Sequence, residues 1–108
     1  YADVKNASVE WIRPTFEGVT AAAAGMKNMP ADFRVSITNG PGNKTYPISS
    51  FTWMLIPTRI PDASKKKAIV DFLSWMLTSG QQEAQSMSYA PLPPAVVAKE
   101  KEQLAEIR

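Results

Sequence analysis

The chain has 108 residues, 44% hydrophobic and 20% charged, a balance typical of one small globular domain or of part of a larger one. Its formal net charge of +2 is too small to indicate a nucleic-acid-binding surface, and only Lys65-Lys66-Lys67 form a basic cluster. The chain contains no cysteine and no histidine, which excludes disulfides, thiol nucleophiles, histidine-based triads and zinc sites of the usual ligand type.

The first long element predicted is a helix. Pro14 and Thr15 favour its start, because proline supplies a fixed φ and threonine a capping hydroxyl. The helical run continues from Phe16 to Ala24 and ends in four consecutive alanines, whose small side chains allow close approach of a neighbouring element. Gly25 is predicted to end this helix in the left-handed conformation.

Two strands are predicted in the middle of the chain. Residues 33 to 38 alternate apolar and polar side chains, which is typical of a strand with one buried face. Residues 39 to 43, NGPGN, predict a turn; the Gly-x-Gly spacing lacks the following helix that a phosphate-cradling loop needs. The stretch from Thr45 to Pro57, TYPISSFTWMLIP, is rich in aromatic and β-branched residues and predicts a long buried strand.

Two further helices complete the predicted order αββαα. The first begins near an N-cap at Asp62 or Ser64 and has a weak point at Gly80. Its apolar stripe consists of Ala68, Ile69, Phe72, Leu73, Met76 and Leu77. The last helix has Pro94 as its first residue. Its apolar positions are Ala95, Val96, Ala98, Leu104 and Ile107, and the charged run from Lys99 to Glu102 predicts a solvated face.

No residue is singled out as catalytic, ligand-binding or metal-binding, and no cofactor is expected. A serine-lysine pair stays formally open at Ser49, Ser50 or Ser64, but no spacing specifies one. The acidic residues are dispersed, so Asp32, Asp62 and Asp71 do not predict a cation site. Trp11, Trp53 and Trp75 favour core packing over a stacking platform for bases or sugars.

Several short motifs occur in an order that resembles a known family. They are Lys5-Asn6, the run from Val9 to Thr15 leading into Val19 to Ala24, Tyr46-Pro47-Ile48-Ser49-Ser50, the residues Ile69, Phe72, Leu73, Trp75 and Gly80, and Tyr89-Ala90-Pro91-Leu92-Pro93. With these motifs the chain resembles the C-terminal portion of the periplasmic phosphate-binding proteins of bacterial ABC transporters. The resemblance covers nearly every residue, and Tyr-Pro-Ile-Ser and Tyr-Ala-Pro-Leu-Pro are its more specific motifs.

This resemblance implies an α/β fold with two lobes and helices packed on a small mixed sheet, in which residues 1–45 belong to the second lobe and residues 46–108 return to the first. It implies a non-enzymatic, extracytoplasmic receptor that binds inorganic phosphate and delivers it to the permease subunits of the membrane. It also implies that phosphate is held by motifs earlier in the family's chain, namely a Thr/Ser-containing loop, an acidic residue, and an arginine with a Ser-Gly-Thr loop. None of these motifs occurs here, so no ligand residue is transferred. Two partners stay open for this chain, a complementing N-terminal chain and a second copy of itself.

A second hypothesis is a free-standing, self-associating interaction module without phosphate affinity. It would bury the strand from Ser50 to Ile56 and the face of Ala21 to Ala24 against a second copy of the chain. An oligomer that does not bind phosphate would favour this hypothesis.

Overall fold

A computed structural model describes residues 1–108 and shows a mixed α/β chain with a small sheet. Its elements are β1 (Val4–Lys5), β2 (Trp11–Ile12), α1 (Phe16–Ala24), α2 (Ala63–Met76), a 3-10 helix (Ser79–Glu83) and α3 (Pro94–Leu104). The two strands form an antiparallel hairpin in which Val4 faces Ile12 and Lys5 faces Trp11. No helix in the chain combines the length and the apolar character that crossing a bilayer requires.

The predicted starts of all three helices are confirmed. Thr15 caps α1, since its hydroxyl oxygen accepts from the backbone N–H of Gly18 at 3.1 Å. Asp62 caps α2 through the N–H of Lys65 at 2.9 Å, and Pro94 is the first residue of α3. These starts were predictable because each depends on groups within one turn of the chain.

The helix ends differ from the prediction in two places. Gly25 ends α1 with φ of −69°, so the predicted left-handed conformation is wrong. A side chain at Gly25 is excluded for another reason, because a Cβ there would lie 2.7 Å from the carbonyl oxygen of Pro41. Helix α2 ends at Met76, four residues before the predicted weak point at Gly80. Just after this end, the hydroxyl of Thr78 donates to the carbonyl of Ser74 at 2.7 Å.

The two predicted strands of the middle region are wrong for this chain. Neither residues 33–38 nor residues 45–57 lie in a sheet, and the sheet that does form joins β1 and β2. Phe33 has φ of +55°, which is incompatible with a strand at that residue. A strand is defined by its ladder to a neighbour, and the chain places no second strand beside either segment.

The core is small and lies in two adjoining clusters. One contains Ala22, Ala23 and Ile37, which confirms the predicted close approach to the alanine tract. The other contains Met29, Phe33 and Val96, and it joins the loop after α1 to the face of α3. Phe51 packs against both clusters. Since only 15 of the 108 residues are buried, much apolar surface stays uncovered.

Core packing of the tryptophans is contradicted by their exposure. Trp11 is 67% exposed, and Trp53 and Trp75 are each 47% exposed. The indole N–H of Trp53 donates to the carbonyl of Phe33 at 2.9 Å, so this ring packs along one edge only. Trp75 stacks on Phe72 within the same helix, with ring centroids 6.0 Å apart. Trp75 therefore packs within its own helix and not in either core cluster.

Candidate functional site

The turn that carries the Gly-x-Gly spacing is fastened from within the chain. The amide nitrogen Nδ2 of Asn6 donates to the carbonyls of Gly42 and Asn43 at 3.1 Å and of Thr45 at 3.2 Å. The hydroxyl of Thr45 donates to the carbonyls of Gly40 at 3.0 Å and Gly42 at 2.8 Å. These contacts present carbonyl oxygens, not N–H donors, and an anion is not held by carbonyls. The turn is therefore structural, as predicted from the absence of a helix directly after it.

The side chain of Asn6 is also the anchor of the β1–β2 hairpin. Its Oδ1 accepts from the backbone N–H groups of Ser8 at 2.9 Å and Glu10 at 3.0 Å, and Asn6 is only 6% exposed. Sequence reasoning treated Asn6 as part of a family motif and missed this role. An asparagine in a short segment beside a turn is a weak signal, because its decisive partners lie 36 to 39 residues away.

The serines considered for a serine-lysine pair are used by the backbone. The hydroxyl of Ser49 donates to the carbonyl of Tyr46 at 2.7 Å, and that of Ser50 donates to the carbonyl of Phe51 at 3.2 Å. Neither serine shares a hydrogen bond with a lysine, and Ser64 lies exposed in the first turn of α2. The structure therefore does not assemble a nucleophile with a neighbouring base at these positions.

The acidic residues considered for a cation site lie apart in ordinary surface contacts. Asp32 is 2.8 Å from the Arg34 guanidinium, Asp71 pairs with Lys67, and Asp62 caps α2. The backbone N–H of Arg34, followed by its side chain, lowers the pKa of Asp32. No three acidic residues of the chain gather closely enough to hold a metal ion.

A shallow groove lies between the hairpin and the start of α1. It has a volume of about 280 Å³ and includes the side chains of Trp11, Arg13, Glu17 and Lys44. The charges along it are mixed, and the Nε atom of Arg13 is 3.4 Å from the carboxylate of Asp3. Its mixed charge and wide opening give it no evident selectivity for an anion.

The most unusual feature of the molecule is an extended stretch whose backbone is unpaired. We call Ile48–Ile56 the open segment. None of the backbone N–H groups from residue 48 to residue 59 donates a hydrogen bond within the chain. By contrast, the N–H of Tyr46 donates to the carbonyl of Gly18 at 3.0 Å, and the carbonyl of Pro47 accepts from Asn39 at 2.8 Å. Backbone N–H groups therefore stop donating hydrogen bonds within the chain where the open segment begins.

The side chains of the open segment alternate between the core and the solvent. Ser49 is 4% exposed, Phe51 packs on the core, and Trp53 lies edge-to-face against Phe51 with centroids 6.3 Å apart. On the other side, Ile48 is 68% exposed and Met54 is 50% exposed. The alternation holds from residue 48 to residue 52 and stops at Trp53, Met54 and Leu55, which are all exposed.

The total surface of the chain is larger than its mass requires. A folded monomer of 11.9 kDa is expected to expose about 5,950 Å². The chain exposes 7629 Å², an excess of roughly 1,700 Å². Its radius of gyration is 15.5 Å, against about 13 Å expected for a compact domain of this length. The chain is thus less compact than a typical single domain of the same length.

Helix α2 contributes to this excess surface. None of its fourteen residues is buried, although the predicted apolar stripe includes Phe72 and Leu73. Phe72 is 50% exposed. The alanine face that the self-association hypothesis assigns to a second copy is different, because Ala22 and Ala23 are already covered by the chain itself.

Comparison with known proteins gives a consistent set of relatives. The chain is 37% identical over 98 residues to the phosphate-binding protein PstS of Xylella fastidiosa strain Temecula1, and 36% identical over 98 residues to that of strain 9a5c; each match covers 90% of this chain. It is 32% identical to the phosphate-binding protein PstS of Methanocaldococcus jannaschii over 85% of this chain. No family model matches the chain.

Each match covers a large share of this chain but a small share of the relative. Almost the whole chain is used, but it spans only 27% of the length of each of these three relatives. The family resemblance found in the sequence is confirmed by these matches, and their coverage fits a C-terminal portion. These relatives are named as binding proteins and not as enzymes.

Proposed function

We propose that this stretch, homologous to phosphate-binding proteins, is the C-terminal part of a receptor that binds inorganic phosphate for uptake by an ABC transporter. The observation that carries the proposal is the 37% identity over 90% of the chain to a protein named for phosphate binding. The parent receptor is non-enzymatic and works in the periplasm, where it delivers phosphate to the permease subunits of the membrane.

In this proposal the phosphate ligands come from the rest of the receptor. The resemblance implies ligand motifs that this stretch does not contain, and two of its arginines already lie beside carboxylates. Arg34 is paired with Asp32 at 2.8 Å, and Arg13 lies 3.4 Å from Asp3. The proposal therefore assigns no residue of the chain to phosphate, and the chain alone is expected not to bind it.

The parent receptor is proposed to have two lobes, with residues 1–45 in the second lobe and residues 46–108 returning to the first. The change in backbone pairing supports this division. Tyr46 and Pro47 still pair with the α1 side of the chain, whereas the N–H groups from Ile48 onward have no partner in it. A passage between lobes would bring the open segment beside strands that the remaining polypeptide supplies.

A titration with inorganic phosphate tests the proposal. Tryptophan fluorescence is followed for this chain alone and after addition of the remaining part of the Xylella fastidiosa relative as a separate polypeptide. The expected result is no response alone and saturable binding after complementation, with sulfate as the control anion. Saturable phosphate binding by the chain alone, or none by a fully assembled complex, would overturn the proposal.

A further inference from the structure

We propose that Asn39 is a site of spontaneous deamidation, in a turn that slows the reaction by withholding the backbone nitrogen of Gly40. We call residues 39–45 the fastened turn, because side-chain hydrogen bonds hold it closed. The modification needs only water as a co-reactant. It therefore goes beyond the proposed function and depends neither on phosphate nor on the remaining polypeptide.

The reaction is an internal acyl transfer between two adjacent residues. The backbone nitrogen of Gly40 attacks Cγ of Asn39, the bond from Cγ to Nδ2 breaks, and ammonia leaves with the proton that the Gly40 nitrogen gives up. Water then opens the cyclic imide. Cleavage between the nitrogen and Cγ gives aspartate, whereas cleavage between the nitrogen and the main-chain carbonyl carbon gives isoaspartate, in which the backbone runs through Cβ and Cγ.

Asn39 is the asparagine whose neighbour hinders the attacking nitrogen least. Of the four asparagines, it is the one followed by glycine, which has no Cβ to shield its nitrogen. The Asn39 side chain is exposed and makes no hydrogen bond in the chain, so water reaches its amide. Asn28 and Asn43 are also exposed but precede methionine and lysine, and the Asn6 amide is buried and hydrogen-bonded.

The attacking nitrogen is already engaged while the fastened turn is closed. Gly40 is buried, and its N–H donates to the carbonyl of Ile37 at 3.3 Å. Ile37 is only 1% exposed and packs with Ala22 in the core, so its carbonyl is held in place. A buried, hydrogen-bonded N–H keeps its proton and is not free to attack, and the turn must therefore open before Asn39 reacts.

Two side chains hold the fastened turn closed. The hydroxyl of Thr45 donates to the carbonyl of Gly40 at 3.0 Å and to that of Gly42 at 2.8 Å. Nδ2 of Asn6 donates to the carbonyls of Gly42 and Thr45. When a reaction proceeds through local opening, its rate is the rate in the unfolded chain multiplied by the fraction of molecules that are open. Loss of these hydrogen bonds is therefore expected to speed the modification.

The modification is expected to damage the turn in which it occurs. The N–H of Asn39 donates to the carbonyl of Pro47 at 2.8 Å, and the carbonyl of the next residue, Gly40, accepts from Thr45. Isoaspartate adds a backbone atom between these two attachment points, so both hydrogen bonds cannot keep their present geometry. Either product also adds a negative charge at residue 39.

The test follows the conversion of each asparagine by peptide mapping with mass spectrometry in mildly alkaline buffer. The chain is incubated folded and, in parallel, unfolded in guanidinium chloride. Thr45→Val removes the hydroxyl that closes the turn, and Thr45→Ser keeps it. Thr15→Ala is the control for a loss of stability elsewhere, because it removes the cap of α1. Circular dichroism establishes that each variant keeps the helices of the parent chain.

In the unfolded chain, Asn39 is expected to convert faster than any other asparagine. In the folded chain, its conversion is expected to be at least about tenfold slower than in the unfolded chain. Thr45→Val speeds conversion of the folded chain by at least about threefold, which corresponds to the net value of one lost hydrogen bond. Thr45→Ser and Thr15→Ala change it by less than about twofold.

Three results would overturn the proposal. Conversion of another asparagine as fast as Asn39 in the unfolded chain would refute the assignment of the site. Equal rates at Asn39 in the folded and unfolded chains would refute control by the turn, and this comparison needs no substitution. Equal acceleration by Thr45→Val and Thr15→Ala would refute it as well, because the reaction would then follow a general loss of stability.

Discussion

Replacement of Asn6 by alanine is expected to lower the free energy of unfolding by about 3 kcal/mol, because Oδ1 of this buried side chain accepts two hydrogen bonds and the two hydrogens of Nδ2 are shared among three carbonyls. The net value of each such bond is about 0.5 to 1.5 kcal/mol. The expected total lies in the lower part of the summed range, because Ser8 and Glu10 are near solvent and the Gly42 carbonyl keeps the Thr45 hydroxyl as a partner at 2.8 Å.

The assay is urea unfolding followed by circular dichroism at neutral pH. Asn28→Ala is the matched control, since Asn28 is exposed and its side chain makes no hydrogen bond in the chain; its effect is expected to stay within about 0.5 kcal/mol. A loss below about 1 kcal/mol for Asn6→Ala would refute the account of Asn6 as the fastener between the hairpin and residues 42–45.

The variant Asn6→Asp is expected to make the stability of the chain depend on pH. A carboxylate at this position would face three carbonyl oxygens, which raises the pKa of the new carboxyl in the folded chain. Because the folded state then binds its proton more tightly than the unfolded state, stability is complete below the ordinary carboxyl pKa of about 4 and is lost as pH rises from there through the raised pKa of the folded chain. Urea midpoints that are independent of pH would contradict this interpretation.

Three further predictions concern single positions, each measured by urea unfolding. Thr15→Ala removes the cap on Gly18 and costs about 1 kcal/mol, whereas Thr15→Ser keeps the oxygen and costs less; equal losses would contradict the capping role. Gly25→Ala destabilises the chain although alanine favours helices, because its Cβ would lie 2.7 Å from the Pro41 carbonyl oxygen; a gain in stability would be the opposite result. Burial raises the pKa of Glu100, so its contribution to stability is lost as pH rises from the ordinary carboxyl pKa through the raised one, and Glu100→Gln removes that part of the pH dependence; an unchanged slope would contradict it.

The parts of the fold that sequence patterns predicted are those determined by neighbouring residues. Thr15, Asp62 and Pro94 each begin a helix for reasons contained in a few residues, and the structure places them as expected. The thirteen-residue run TYPISSFTWMLIP has the composition of a buried strand, yet no sheet includes it here. A strand also needs a neighbour, and composition cannot say whether the same chain provides one.

The site was harder to predict for a related reason. The contacts of Asn6 join residues 36 to 39 positions apart, and no local pattern encodes such a distance. Trp53 and Trp75 were expected in the core from their apolar neighbours, but each is 47% exposed. Burial of these rings depends on distant parts of the fold, which the neighbouring residues do not encode.

The central claim is that this chain is a receptor part whose phosphate site is completed by other polypeptide. Isothermal titration of inorganic phosphate into the purified one-to-one complex with the remainder of the Xylella fastidiosa relative, beside the chain alone, tests it most directly. The account predicts saturable binding of one phosphate by the complex and no heat of binding for the chain. Binding of the same affinity by the chain alone would contradict it.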